Sequence, residues 1–275
     1  MTGKMKLTVE LAGVAMEVTC RHEENAAFLA AYRTDRAPAF SVEPGEEDLI
    51  RAREALKRQK EKEGIPGARF ADRFVENNAL HALICEKLAA KFGTLLFHGS
   101  ALCADGEAIL FTAPSGTGKS TQARLWRETL GDRVWMINDD KPLLRRTEGR
   151  VRAFGTPWDG KHHLSRNASA PLRAILEVRR SRANRIERIS PAEAFVVCAR
   201  QGFLSERPET RARVFAAEKE LCREIPFYRL WCNMDPEAVR VAWEGVTGTK
   251  LLPGSHPRED APEDQEISRT GQEEA

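Results

Sequence analysis

Ala113-Pro114-Ser115-Gly116-Thr117-Gly118-Lys119-Ser120-Thr121 decides how the chain reads. It follows the apolar run Ala108–Thr112 and precedes Gly118–Leu130, where Ala123, Trp126 and Leu130 share one helical face. A strand, a glycine-rich turn and a helix are the context that a phosphate-binding loop needs. Gly116 and Gly118 permit backbone conformations that aim successive N–H groups inward. The helix N-terminus adds partial positive charge. In this pattern Lys119 reaches the β- and γ-phosphates and the Ser120 hydroxyl holds Mg²⁺. The usual first glycine is replaced by Ala113, the smallest residue with a Cβ.

The next apolar run, Val134–Ile137, reads as a buried strand and ends in Asn138-Asp139-Asp140, twenty residues after Lys119. An acid after that strand is expected to serve the metal, and a second one can accept the proton of an attacking hydroxyl. Taken alone, an Asp pair before Pro142 is an ordinary turn; the loop upstream makes it a candidate site. On the other side, Asp105-Gly106 signals a tight hairpin that folds Ala101–Cys103 back on the strand before the loop. His98 lies just ahead of that hairpin and is the third candidate. The fourth is Phe154-Gly155-Thr156-Pro157-Trp158-Asp159-Gly160-Lys161-His162-His163, a constrained loop carrying Asp159 and Lys161. Adjacent His162 and His163 do not have the helical spacing of metal ligands, so no zinc site is expected.

The rest of the chain divides around this centre. Residues 1–92 read as an N-terminal accessory domain: two short strands about Gly13, a charged helix over Glu46–Glu63 and a second helix over Phe70–Lys91, with Phe74, Leu80, Leu83, Ile84 and Leu88 at helical spacing. Alternating charges on the first helix read as a solvated surface. Residues 93–248 read as the catalytic core. Leu143–Arg146 and Arg150–Phe154 form a second hairpin there, Ala174–Val178 and Pro226–Cys232 are strands, and Pro191–Ala199, Glu209–Glu224 and Pro236–Glu244 are helices. Residues 249–275 read as an acidic disordered tail.

Length and composition narrow the function classes. In 275 residues, no uncharged apolar run approaches the ~18–20 residues of a spanning helix, so no membrane partner is expected. The opening residues carry no secretory signal pattern. The net charge of +2 argues against a nucleic-acid partner held by bulk charge. From Leu252 onward the tail has seven acids against Arg258 and Arg269, a net −5, so the remainder carries +7. The six cysteines form no CxxC pair and suit reduced, buried thiols in a cytoplasmic protein.

In order, the parts are Phe97-His98-Gly99-Ser100-Ala101-Leu102, the loop Ser115–Thr121, Asn138-Asp139-Asp140-Lys141-Pro142-Leu143 and Gly155-Thr156-Pro157-Trp158-Asp159-Gly160-Lys161. This series resembles the HPr kinase/phosphorylase catalytic domain and ATP-dependent phosphoenolpyruvate carboxykinase, and above all their small bacterial homologues. The resemblance is clearest over Leu96–Val178. It implies an α/β fold: a mixed-sheet P-loop kinase core of HPr kinase/carboxykinase type with a small α+β N-terminal domain. It implies ATP as substrate with Mg²⁺, or Mn²⁺ in its place, bound by Ala113, Pro114, Ser115, Gly116, Thr117, Gly118, Lys119, Ser120 and Thr121. By the same resemblance His98 contacts the transferred phosphate, and one of Asp139 and Asp140 is the base while the other lies near the metal, with Asp139 taken as the base and Asp140 as the metal residue. Lys161 is the basic residue of the following loop, and Ser120 is a metal ligand; Asp159 is the nearby substitute for the family's glutamate ligand. A homo-oligomer is implied as well. The glutamate-bearing signature that follows the acid pair in the bifunctional kinase is missing, so neither phosphorylase activity nor the HPr protein is expected. The favoured expectation is an ATP-Mg²⁺ phosphotransferase acting on a hydroxyl of a peptide, protein serine or small molecule. A nucleotide-binding regulatory module, or a carboxykinase-type lyase acting on oxaloacetate, are the alternatives.

Overall fold

The structure, a computed structural model, describes residues 3–251. Most of the acidic tail expected over 249–275 therefore lies outside the described residues. Strands β1 (Met5–Leu11) and β2 (Val14–Cys20) pair antiparallel about Ala12-Gly13, the hairpin expected around Gly13, and β3 (Ser41–Val42) adds in parallel to β2. Helices α1 (Glu23–Phe28), α2 (Glu46–Lys62) and α3 (Asp72–Phe92) complete the N-terminal region.

On α2 only Ala52 and Leu56 are buried, and exposed pairs such as Arg58–Glu54 run along its surface at i,i+4 spacing. Such pairs contribute well under ~1 kcal/mol each, so the helix is held by its packing. The buried stripe of α3 is Val75, Ala79, Leu80, Ile84 and Leu88. Phe74, expected on that stripe, is exposed instead and stacks on Phe70. Its place is taken by Val75, one residue on, which keeps the three–four spacing that faces the core. The left-handed Gly93 ends α3 by returning its N–H to Ala89.

From there the chain builds one mixed sheet. Its strands are β4 (Leu95–Leu96), β5 (Gly99–Ala104), β6 (Glu107–Thr112), β7 (Val134–Asn138), β8 (Leu143–Thr147), β9 (Arg150–Phe154), β10 (Ser169–Arg180), β11 (Arg185–Arg188) and β12 (Phe227–Cys232). The order is β4-β8-β9-β10-β6-β5-β7, with β12 beside β10 and β11 beside β12. Both hairpins read from the sequence are present, β5–β6 and β8–β9. β10 is longer than expected because its first residues pair antiparallel with β9 before the rest runs parallel to β6 and β12. β11 gave no signal in the sequence: Arg-Ile-Glu-Arg has a single apolar residue, as suits a charged strand at a sheet edge.

Helices α4 (Lys119–Leu130) and α7 (Glu237–Thr247) cover one face of the sheet, α5 (Pro191–Gln201) and α6 (Pro208–Glu224) the other. The alternation is visible within β6. Ala108 and Leu110 join the cluster with Val197, Val214 and Leu221; Ile109 and Phe111 join the one with Trp126, Ala238 and Trp243. Two buried faces explain the near-continuous apolar runs of β5, β6 and β10. A third cluster joins the N-terminal sheet to α3 and also takes in Leu143 and Trp158. All six cysteines are buried and unpaired, with the Cys198 and Cys222 sulfurs 3.5 Å apart between α5 and α6.

Glu218 of α6 is a polar intruder in this interior. It is 2% exposed, and its Oε2 has no hydrogen-bond partner among the described residues. Burial pushes its carboxyl up to about 7. The folded chain then holds a proton that the unfolded chain, titrating near ~4.3, has already lost. Stability contributed by the neutral form is complete below pH ~4.3 and is lost as pH rises to about 7, by on the order of 3 kcal/mol. Urea denaturation at pH 5 and pH 8 should show this fall, and Glu218→Gln should flatten it.

Candidate functional site

The loop between β6 and α4 lies at one end of the sheet. Gly116 has φ 75° and Gly118 φ 124°, conformations that a side chain rarely adopts, so the two glycines are what the turn requires. Gly118 caps α4, and the free amides of the first turn face out at the loop. Lys119, the first residue of α4, is 9% exposed, and its Nζ donates to the carbonyl of Ala113 at 3.1 Å. The ammonium is thus curled inside its own loop. Burial pulls its pKa down, while the charges of Asp140 and Asp139 hold it up. A buried cation with two acids nearby and open amides beside it can hold a polyphosphate.

Asp139 and Asp140 follow the end of β7, two strands away from β6 in the sheet. Asp139 is 8% exposed, and its Oδ1 accepts the Ser100 hydroxyl at 2.5 Å. Asp140 Oδ1 lies 3.6 Å from His98 Nε2, and its Oδ2 lies 3.4 Å from Lys141 Nζ. His98 is fixed between β4 and β5: its N–H donates to Gln201 O and its carbonyl accepts from Thr112 Oγ1. Burial first, and the Lys119 charge second, push the imidazole below its usual range, while Asp140 opposes them. His98, Lys119, Asp139 and Asp140 are therefore brought together.

Asn138 organises the rest. Its Oδ1 accepts the N–H groups of Asp140 and Lys141, and its Nδ2 donates to Thr156 O, Thr156 Oγ1 and Trp158 O. One buried amide thus joins the acid turn to the 155–160 loop. Gly160 presses so closely that a Cβ there would lie 2.7 Å from Asp139 O and 2.9 Å from its Oδ2. The loop is propped from behind: Trp158 Nε1 donates to Asn77 Oδ1 of α3 at 2.8 Å, and its ring lies 4.6 Å from that of His81.

The other two loop candidates stand apart. Asp159 bonds His163 Nδ1 at 3.1 Å and the Ser165 N–H at 3.5 Å, and among the described residues no hydrogen bond or ion pair joins it to Ser120 or Asp140. Lys161 is exposed and makes no hydrogen bond or ion pair among the described residues. Nor do three His, Cys, Asp or Glu side chains gather there as a metal cage among the described residues. Ser120 and Asp140 each offer oxygen donors, the kind that suits a hard ion such as Mg²⁺, which keeps water and substrate phosphates as its remaining ligands.

Two cavities flank the loop. One, of about 440 Å³, touches Ser120 and Asp139. The other, of about 500 Å³, lies beside Gly116, Gly118, Val178, Arg180 and Met234. Arg180, at the end of β10, reaches the carbonyls of Thr117 and Gly116 and ties the loop down. Sequence reasoning missed Ser100, Asn138 and Arg180. The first two stood inside quoted motifs, and an Asn ahead of a turn is a signal in its own right; Arg180, sixty residues from the loop, gave none.

The family model described as "SynChlorMet cassette protein ScmC" matches residues 73–239, which takes in the loop, the acid pair, the 155–163 loop and Arg180. The chain belongs to this ScmC family. No curated protein matches it in sequence. Among solved structures, the Hpr(Ser) kinase/phosphatase from Coxiella burnetii is similar at 11% identity and a TM-score of 0.30, over 56% of this chain and 93% of that one. No helix among the described residues is long and apolar enough to cross a membrane.

Proposed function

We propose that the chain is an ATP- and Mg²⁺-dependent phosphotransferase that moves the γ-phosphoryl group to a hydroxyl. The observation that carries this reading is the buried Lys119 inside a glycine-rich strand–helix turn, under the charges of Asp139 and Asp140. Lys119 and the first amides of α4 bind the triphosphate and neutralise charge developing on it. Ser120 and Asp140 would hold the metal, which supplies further neutralisation of the phosphate oxygens. Asp139, held in place by Ser100 and by the approach of Gly160, takes the proton of the acceptor hydroxyl. The acceptor oxygen bonds to the γ-phosphorus, the bond to the bridging oxygen breaks, and ADP leaves with that electron pair. His98, kept neutral by burial, donates or accepts one hydrogen bond beside Asp140 without adding charge. Its Nδ1 faces Gln201 Oε1 at 3.3 Å, which orients the ring.

Titration calorimetry with a non-hydrolysable ATP analogue tests the first half of this reading. Binding is expected with Mg²⁺ present and should weaken about tenfold or more when the metal is chelated, because triphosphate charge is then left to Lys119 and the first amides of α4. Binding without metal dependence counts against Ser120 and Asp140. Phosphoenolpyruvate released from oxaloacetate and ATP would replace the proposal with a lyase.

A further inference from the structure

The 440 Å³ cavity is lined by Asp139 and Ser120, and also by Arg124 and Arg127 of α4 and by His162 and Leu164. Ser120, Arg124 and Arg127 are spaced i, i+4, i+7 and so share one side of the helix. At the α-helical rise, Arg127 lies ~10 Å along the axis from Ser120. The charges along this side are not equivalent. Arg124 Nη1 is paired with Glu128 Oε1 at 2.8 Å, which makes that rim neutral. Arg127 is half-buried and makes no side-chain hydrogen bond or ion pair among the described residues. A half-buried guanidinium left without an acid is a receptor for a carboxylate. The cavity on the other side of the loop, beside Gly116, Val178 and Met234, has the apolar surface to receive a nucleoside. That leaves the Arg127 side for the second substrate.

We propose that this cavity is the acceptor site and that the acceptor is an acidic peptide. Its hydroxyl lies at Asp139 and its carboxylate pairs with Arg127, both of which line the cavity. A cavity of about 440 Å³ is of the size that holds a drug-sized ligand, more than a small hydroxy acid fills. The inference rests on the phosphotransfer reading and adds the substrate class to it. The covalent step is unchanged: the peptide hydroxyl gives its proton to Asp139 and its oxygen to the γ-phosphorus, and ADP departs.

The test is transfer of labelled γ-phosphate from MgATP by the full chain. The acceptors are single-serine peptides with one glutamate placed one to five residues to either side, their glutamine and lysine counterparts, and glycerate. We expect kcat/KM to peak at one spacing on one side and to fall about tenfold or more with glutamine there. Arg127→Glu should move the preference to the lysine peptide, and the milder Arg127→Gln should abolish it, with Tm recorded for both. Equal rates on glutamate and glutamine peptides, a glutamate preference that survives Arg127→Glu, or transfer to glycerate alone overturns the acceptor assignment. In those cases MgATP binding and turnover still stand, so phosphotransfer survives. MgATP that neither binds nor turns over removes both readings.

Discussion

Asp139→Asn is expected to lower phosphoryl transfer by about 10²- to 10⁴-fold, the range of a lost general base. The substitution is well matched to the site. Asparagine keeps an oxygen to accept the Ser100 hydroxyl, now 2.5 Å from Oδ1, and it keeps the volume that Gly160 closes over. What it removes is the capacity to take a proton. The loss should therefore fall on kcat, while nucleotide affinity in calorimetry changes far less. An unchanged kcat sinks the assignment of Asp139 as base, whatever the fate of the nucleotide site.

Lys119→Ala is expected to cost about 10²- to 10³-fold in kcat/KM, the scale of removing one preorganised charge aimed at the reacting group. Stability should behave in the opposite way. Lys119 is 9% exposed, and burial already disfavours its charge, so the folded state bears a penalty that alanine removes. Alanine is also the better helix former at the first position of α4. The loss of one bond to the Ala113 carbonyl, at 3.1 Å, works against this gain. Little net change in Tm beside a large loss of turnover is the expected pattern. A collapse of Tm would mean that the lysine holds the loop together, as Arg180 does from outside through Gly116 and Thr117.

Much of this architecture is legible in the residues because local signals and burial agree. Asp105-Gly106 and Glu148-Gly149 each supply positive φ at consecutive positions, and each closes a hairpin. Gly118–Leu130 carries its apolar face, and Asn138-Asp139-Asp140 ends a strand buried on both sides. What the residues conceal is long-range. Phe74 and Val75 both fit a helical stripe, and only the packing of α3 decides that Phe74 lies outside it. β11 has no pattern of its own and exists because β12 offers it an edge. Within the site, motif spacing assembles His98, Lys119, Asp139 and Asp140. It says nothing of the aim of Asp159, which turns to His163, or of Arg127, whose environment is made by a loop more than thirty residues away.

β10 has a consequence for how the chain reaches this state. Its parallel partnerships join Leu172 to Ala108 and Ile175 to Phe227, closing loops of 64 and 52 residues. The entropy of closing such loops is spent before their contacts return anything, so pairings of this kind form slowly. β12 is the last strand among the described residues to be synthesised, and until it emerges one edge of β10 over Ile175–Arg180 lacks its partner. During translation the N-terminal hairpin and α3 can form on their own residues, whereas the β10 edge waits for Phe227–Cys232. The chain is therefore most exposed to aggregation in the interval between release of β10 and arrival of β12.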